Sequence, residues 1–252
     1  MCSWRKKKLM KKVFKLIYKT IILFLIIIVI NVSRYVKDGY EMYKTALKNK
    51  SIIEMVSEIE AKESYTKLAE VPQIYINAVI AAEDHRFYLH KGVDFLSICR
   101  AIFTNIKNAD LVEGGSTISQ QICKNVYFTQ ERRLERKFAE IFMAVELEKN
   151  CNKDKILELY FNTSFYGNGY YTLKEASKGY FNKEPLELTN YEATMIAGIP
   201  NAPSLYNPVY SLELAKQRQN QVLLAMVKFG YITAKEKEEI QNEYIDLSKF
   251  EK

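Results

Sequence analysis

Apolar residues along this chain recur at helical spacing, and the densest run comes first. No charged side chain interrupts the segment from Thr20 to Ile30. Extended back through Val13, Phe14, Leu16, Ile17 and Tyr18, it reaches the roughly 20 residues that a bilayer-spanning helix needs. Lys15 and Lys19 fall inside that extension, where their stems can carry the charge out to the headgroups. The pattern predicts a membrane-spanning helix over 13–32. No small-x-small pattern follows at 31–35, so an uncleaved anchor is expected rather than a signal peptide. Residues 33–64 then read as a charged, amphipathic helical stalk or jaw. Helical spacing returns at 95–105, 119–126, 134–149, 153–161, 171–180, 190–199, 212–229 and 234–243. Sustained alternation with a period of two is absent and hairpin punctuation is sparse. The body, 65–252, is therefore expected to be mainly α.

Charge sharpens this picture. The formal net charge is +7, but eight of the basic residues lie within 1–19, where there is no acid. The rest of the chain is about neutral, which argues against nucleic acid as a partner. A basic tail over 1–12 points that end to the cytoplasm and the body to the outside of a single-pass protein. The four cysteines, Cys2, Cys99, Cys123 and Cys151, show no CxxC spacing and no paired histidine ligands. A zinc site is not expected, and buried free thiols are.

Candidate chemistry concentrates in five stretches. The first runs from Ala81 to Asp94 and holds both histidines, His85 and His90, with Glu83 and Asp84 at the end of an apolar helical run and Gly92 beyond. A carboxylate carried to the end of a buried helix is partly desolvated, which makes it a better proton acceptor near neutral pH. An ordinary capping acid would look the same. The second has Gly114 and Gly115, a capping Ser116 or Thr117, and a helix bearing Gln120, Gln121, Lys124 and Asn125. A helix start of this kind suits anionic or polyhydroxyl ligands, or is simply a capped helix with a polar face. In the third, Arg132, Arg136 and Glu140 follow at four-residue spacing with Lys137 beside them. That set is either an exposed ion pair or a cationic clamp for a phosphate-rich leaving group. The fourth ends a helix in Phe165-Tyr166-Gly167-Asn168-Gly169-Tyr170-Tyr171. In the fifth, Pro200, Pro203 and Pro208 break an apolar helix into what reads as a rigid, helix-free wall.

Taken in order, these blocks resemble glycosyltransferase family 51, the peptidoglycan glycosyltransferases of bacterial cell-wall synthesis. The resemblance rests on Glu83-Asp84-His85-Arg86-Phe87-Tyr88 with His90 and Gly92, on Gly114-Gly115-Ser116-Thr117-Ile118 with Gln120-Gln121 and Lys124-Asn125, and on Arg136-Lys137 with Glu140. It continues through Ile156-Leu157-Glu158, Asn162 and Gly167-Asn168-Gly169. It closes with Ala197-Gly198-Ile199-Pro200 and Ala202-Pro203-Ser204-x-Tyr206-Asn207-Pro208, covering roughly residues 65–245. Thr172 and Asn182 depart from the residues usual in the family. The resemblance implies a mostly helical, lysozyme-like lobe with a small membrane-associated jaw. With no room before Lys252 for a transpeptidase domain, a monofunctional enzyme is expected.

The resemblance also assigns roles. Glu83 would be the general base that deprotonates the 4-hydroxyl of lipid II, which attacks the anomeric carbon of the growing glycan chain with inversion. Polyprenyl pyrophosphate would leave, its charge met by Lys124, Arg132, Arg136 and Lys137. Glu140 would be the second essential carboxylate, near the pyrophosphate or a divalent cation such as Mg2+ or Mn2+. Ser116, Thr117, Gln120, Gln121 and Asn125 would line the donor groove, with Asp84, Phe87 and His90 also at the substrate. Implied partners are lipid II, the glycan chain, membrane lipid and other cell-wall synthesis or division proteins. A lytic enzyme cleaving the same glycan, or a membrane-tethered scaffold that binds lipid II without turnover, are the competing readings.

Overall fold

The computed structural model describes residues 2–108, 114–128, 131, 133–243 and 250, and among them every regular element is helical. The first, α1 (Cys2–Asn49), is one unbroken helix of 48 residues, so the segments expected as span and as the first part of the stalk are continuous. Its stretch Phe14–Asn49 contains a window of mean hydropathy 2.4, none of it buried, and is long and apolar enough to cross a membrane. Ser51 then caps α2 (Ile52–Glu60) in a reciprocal box with Glu54, and α2 turns Ile52, Met55 and Ile59 into the core.

The centre is built from α3 (Gln73–Glu83), α9 (Asn190–Gly198) and α11 (Leu212–Lys228), which pack on one another. From Tyr191 to Gly198, α9 is buried on every side. A helix that is apolar all round belongs inside the body. Ala78 and Val79 of α3, Ala193, Ile196 and Ala197 of α9, and Val222, Leu223 and Met226 of α11 are wholly buried there. Each large aliphatic side chain so buried contributes about 1.5–3 kcal/mol. Against this centre lie α5 (Ile118–Tyr127), α6 (Leu134–Asn150) and α7 (Lys153–Phe161), with α5 touching both of the others. The remaining helices are α4 (Phe95–Asn108), α8 (Leu173–Phe181), α10 (Pro203–Tyr206) and α12 (Ala234–Gln241).

The C-terminal part of α1 packs along α6. Gly39 makes this possible, because a Cβ there would fall 2.6 Å from the carbonyl oxygen of Glu135 and from Cβ of Phe138. Just above, Tyr40 meets Phe142 edge-on at 5.3 Å.

Two expectations need correction, and two departures find a place. The proline-rich segment is not helix-free: a 3-10 turn at Ile199–Asn201 and the single turn α10 occupy it, because a proline at a first helical position loses no hydrogen bond. Cys99 is exposed on α4, while Cys123 is buried and Cys151 half-buried; all three are free. Thr172 and Asn182 bracket α8, one as N-cap and the other as a left-handed C-cap at φ 55°. Asparagine tolerates that conformation better than most side chains, so it can end α8 there.

Candidate active site

The apolar run of α3 ends at Glu83, and the next residue docks that end onto α5. Asp84 accepts the N–H of Ile118 on Oδ2 at 3.1 Å. It also faces His90, whose Nε2 lies 2.9 and 3.0 Å from the two carboxylate oxygens. A carboxylate only accepts, so Nε2 carries the proton. Gly92 lets the following loop lie against α6: at φ +91°, a Cβ would sit 2.7 Å from the carbonyl oxygen of Ala144. Its own carbonyl accepts the Thr117 hydroxyl at 2.7 Å.

With α5 fixed there, its polar side faces Glu83. Gln121 Nε2 donates to Glu83 Oε2 at 2.8 Å, and Arg218 of α11 donates to Oε1 at 3.3 Å. The Glu83 side chain is only 6% exposed, so Arg218 is a counter-charge for a largely desolvated acid. Glu83 opens into a polar cleft of about 720 Å3, also lined by Asp84, Ser116, Gln121, Lys124 and Arg218. Burial pushes the Lys124 ammonium below its usual range, while the fields of Glu140 and Glu83 oppose that shift. Lys124 thus stands in the field of both carboxylates.

The second carboxylate lies behind the cleft wall. Glu140 is 1% exposed, with Arg136 Nε 3.3 Å from Oε1 and Lys137 Nζ 2.8 Å from Oε2. Lys137 also donates to Ser116 Oγ at 2.7 Å, and Ser116 lines the cleft. A charged row therefore runs from Glu83 past Lys124 and Ser116 to Lys137 and Glu140. The exposed ion pair considered for Arg136 and Glu140 is buried instead. No group of three Asp, Glu, His or Cys side chains arranged to hold a metal ion is present among the described residues. Both Glu140 oxygens face cationic side chains, at 3.3 Å from Arg136 and 2.8 Å from Lys137, which makes this carboxylate a poor holder for a divalent cation.

Several expected contact residues brace the cleft instead of lining it. Phe87 is wholly buried, beneath the Lys153 ammonium at 4.3 Å from its ring. His90 is buried on Asp84. Thr117 and Gln120 cap the first turn of α5 reciprocally, and both are buried. A helix start buried in the body needs those partners for its N–H groups. Asn125 donates to the Thr163 carbonyl at 3.2 Å. Asp84 touches the cleft, but its contacts are internal. Arg132 lies outside the described residues.

The far wall was not anticipated. The His85 ring stacks on Phe229 at 4.1 Å and 13°, and Arg100 Nη1 lies 3.1 Å from His85 Nε2. Burial, then the charge of Arg100, hold His85 below its usual range. Arg218 was missed too, although its position carries a signal. It falls in register with Ala215 and Val222, where the inward side of α11 is otherwise mostly apolar.

Residues 49–227 match the transglycosylase family. Penicillin-binding protein 1A of Neisseria lactamica is 43% identical over 191 residues, which is 76% of this chain and 24% of that protein. Penicillin-binding protein 1A of Aquifex aeolicus (strain VF5) is 42% identical over 188 residues, 75% of this chain and 26% of that protein. The chain thus spans about a quarter of the length of these relatives. The crystal structure of penicillin-binding protein 1A from Haemophilus influenzae is 28% identical and superposes with a TM-score of 0.42, covering 72% of this chain and 17% of that one. With the matched region reaching from the end of α1 to the last turn of α11, the chain belongs to the transglycosylase family, glycosyltransferase family 51.

Proposed function

We propose that this chain polymerises lipid II into β-1,4 glycan strands. The observation that carries the reading is the polar cleft that holds Glu83, Lys124 and Ser116, with Lys137 bridging Ser116 to Glu140 behind its wall. Glu83 acts as general base. Gln121 and Arg218 each hold one of its oxygens, and a carboxylate has lone pairs left to take the proton of the acceptor 4-hydroxyl. The oxygen so activated attacks the anomeric carbon of the lipid-linked donor, the bond to the diphosphate breaks, and configuration inverts. Polyprenyl diphosphate departs with the bonding electron pair. Lys124, Lys137 and Arg136 offset its charge, which is the larger requirement for a leaving group already this stable. Glu140 orients Arg136 and Lys137.

The same reading places the protein in a bacterial cell membrane. α1 crosses it with the basic end in the cytoplasm, and the body stands outside. The exposed apolar side of α4, with Phe103 70% and Ile106 75% exposed, supports a jaw that rests on the bilayer. Confinement with lipid-linked substrates raises their effective concentration.

Incubation with fluorescent lipid II tests the proposal. Wild-type protein yields polymer ladders, and Glu83→Gln, nearly isosteric and still hydrogen-bonding, yields none while keeping its helical spectrum. Near-wild-type polymer from Glu83→Gln would remove Glu83 as the base. Shortening of preformed glycan strands without polymer would favour a lytic enzyme.

A further inference from the structure

One buried carboxylate has no part in the reaction described so far. Glu148 lies two turns after Glu140 on α6, and its side chain is 5% exposed. Its Oε1 is a meeting point for three other elements. It accepts Ser119 Oγ of α5 at 2.7 Å and Lys153 Nζ, from the first residue of α7, at 2.7 Å. The third neighbour is His90 Nδ1, 3.9 Å away. That nitrogen is buried and makes no hydrogen bond. On the other side of the ring, Nε2 holds Asp84.

We propose that Glu148, fixed by Lys153, is a positioning residue for Glu83, acting through His90 and Asp84; the proposal rests on the polymerase reading above. Burying a carboxylate is costly unless its charge is met, and packing alone is served here by Ala144 and Leu147, which are wholly buried on the same helix. The charge is placed beside an imidazole: Asp84 takes the Nε2 proton, and the Glu148–Lys153 pair, with Oε1 3.9 Å from Nδ1, closes off the other side of the ring, so the ring is confined to facing Asp84. Asp84 in turn accepts the first N–H of α5 at Ile118 and directly follows Glu83 in the chain. Rotation of His90 would release the last turn of α3 and the first turn of α5 together. Those turns aim Glu83 and Gln121 at each other. Lys153 is doubly held, by Glu148 and by the face of Phe87, another residue of the loop that carries His90.

The test measures kcat and KM for lipid II in the full-length protein for Glu148→Gln, His90→Gln and the double variant. Glu148→Gln is expected to lower kcat by about ten- to a hundredfold with KM within about twofold, because a misaimed base spoils the reaction more than binding. Since the two residues act in series, the double variant is expected to be no slower than His90→Gln alone. An unchanged kcat, or losses that multiply, overturns the proposal. So does a kcat loss matched by an equal loss of folded protein, which would make Glu148 merely structural. Should Glu148→Gln fail to fold, Lys153→Met, which keeps an apolar stem over Phe87, is judged by the same outcomes. Amide exchange gives a reading independent of turnover. The Ile118 amide is expected to exchange faster in the variant than in wild type while those of α9 do not change, and equal rates at Ile118 overturn the proposal. A wild-type protein that makes no polymer defeats the functional reading alone, and exchange at Ile118 then decides this one.

Discussion

Arg218 shows how much one side chain governs here. Its side chain is 13% exposed, it donates to the Gly198 carbonyl at 3.3 Å, and it lies 5.8 Å from the Tyr206 ring while pairing with Glu83. A guanidinium held by three neighbours fixes direction as well as charge, which an ammonium on a flexible stem does not. Arg218→Ala is expected to lower kcat by about tenfold or more, and Arg218→Lys to recover only part of it, as steady-state assays would reveal. Wild-type kcat in Arg218→Ala would mean that Glu83 needs no counter-charge. Sequence motifs singled out Glu83, Gln121 and Lys124, which line one cleft, and Lys137, which reaches it through Ser116. They did not separate residues that face the cleft from those that brace it, because Phe87, His90, Thr117 and Gln120 sit in the same motifs and turn inward. A motif records that a side chain is needed, and only packing records which way it points.

Among the elements, α7 was the most legible, since Asn152 caps it and its observed bounds, Lys153–Phe161, match the periodicity. Its role as an anchor was not legible, because the partners lie about ninety residues earlier in the chain. Glu158 accepts the Leu68 N–H at 2.9 Å and the Tyr65 hydroxyl at 2.7 Å, and it pairs with Lys155. This ties the segment after α2 to α7. The phenol, buried beside that carboxylate, is pushed up to about 12. Glu158 opposes burial with hydrogen bonds from Leu68, Lys155 and Tyr65, and its carboxyl falls below the ordinary value of 4.5. The folded state thus binds its proton less readily than the unfolded chain. The stabilisation is fully present above the ordinary value and is lost as pH falls through the folded one. Glu158→Gln is expected to cost about 1–3 kcal/mol at neutral pH. Denaturation midpoints across pH 3–7 should show the difference from wild type shrinking toward the acid end. A constant difference would mean that the ionised form is not what stabilises the contact. Other helix ends were less readable: the proline segment was taken to exclude helix, yet prolines opened short turns there.

At the scale of the molecule, the sequence predicted a helical body and an apolar first helix, and both are present. The continuity of α1 to Asn49 was not foreseen, because the change from apolar to charged residues near Asn31 looks like a boundary although it does not interrupt helix propensity. Likewise, the run 95–105 showed helical spacing without showing what it faces, and the structure leaves Phe95, Leu96, Ile102, Phe103 and Ile106 exposed. Trp4 is the one tryptophan of the chain. With Trp4→Phe as background, Phe103→Trp in bilayers containing brominated acyl chains is expected to be quenched. Unquenched fluorescence would show that α4 stands clear of the lipid.

The unbroken α1, locked against α6 at Gly39, has a geometric consequence. The body has no swivel above its anchor. Each residue added or removed between 31 and 38 would turn it by about 100° and change its height by about 1.5 Å. Azimuth and elevation are therefore encoded together in one short spacer. An anchor borrowed from another protein would have to be spliced in helical phase to keep the greasy flank of α4 at the same bearing.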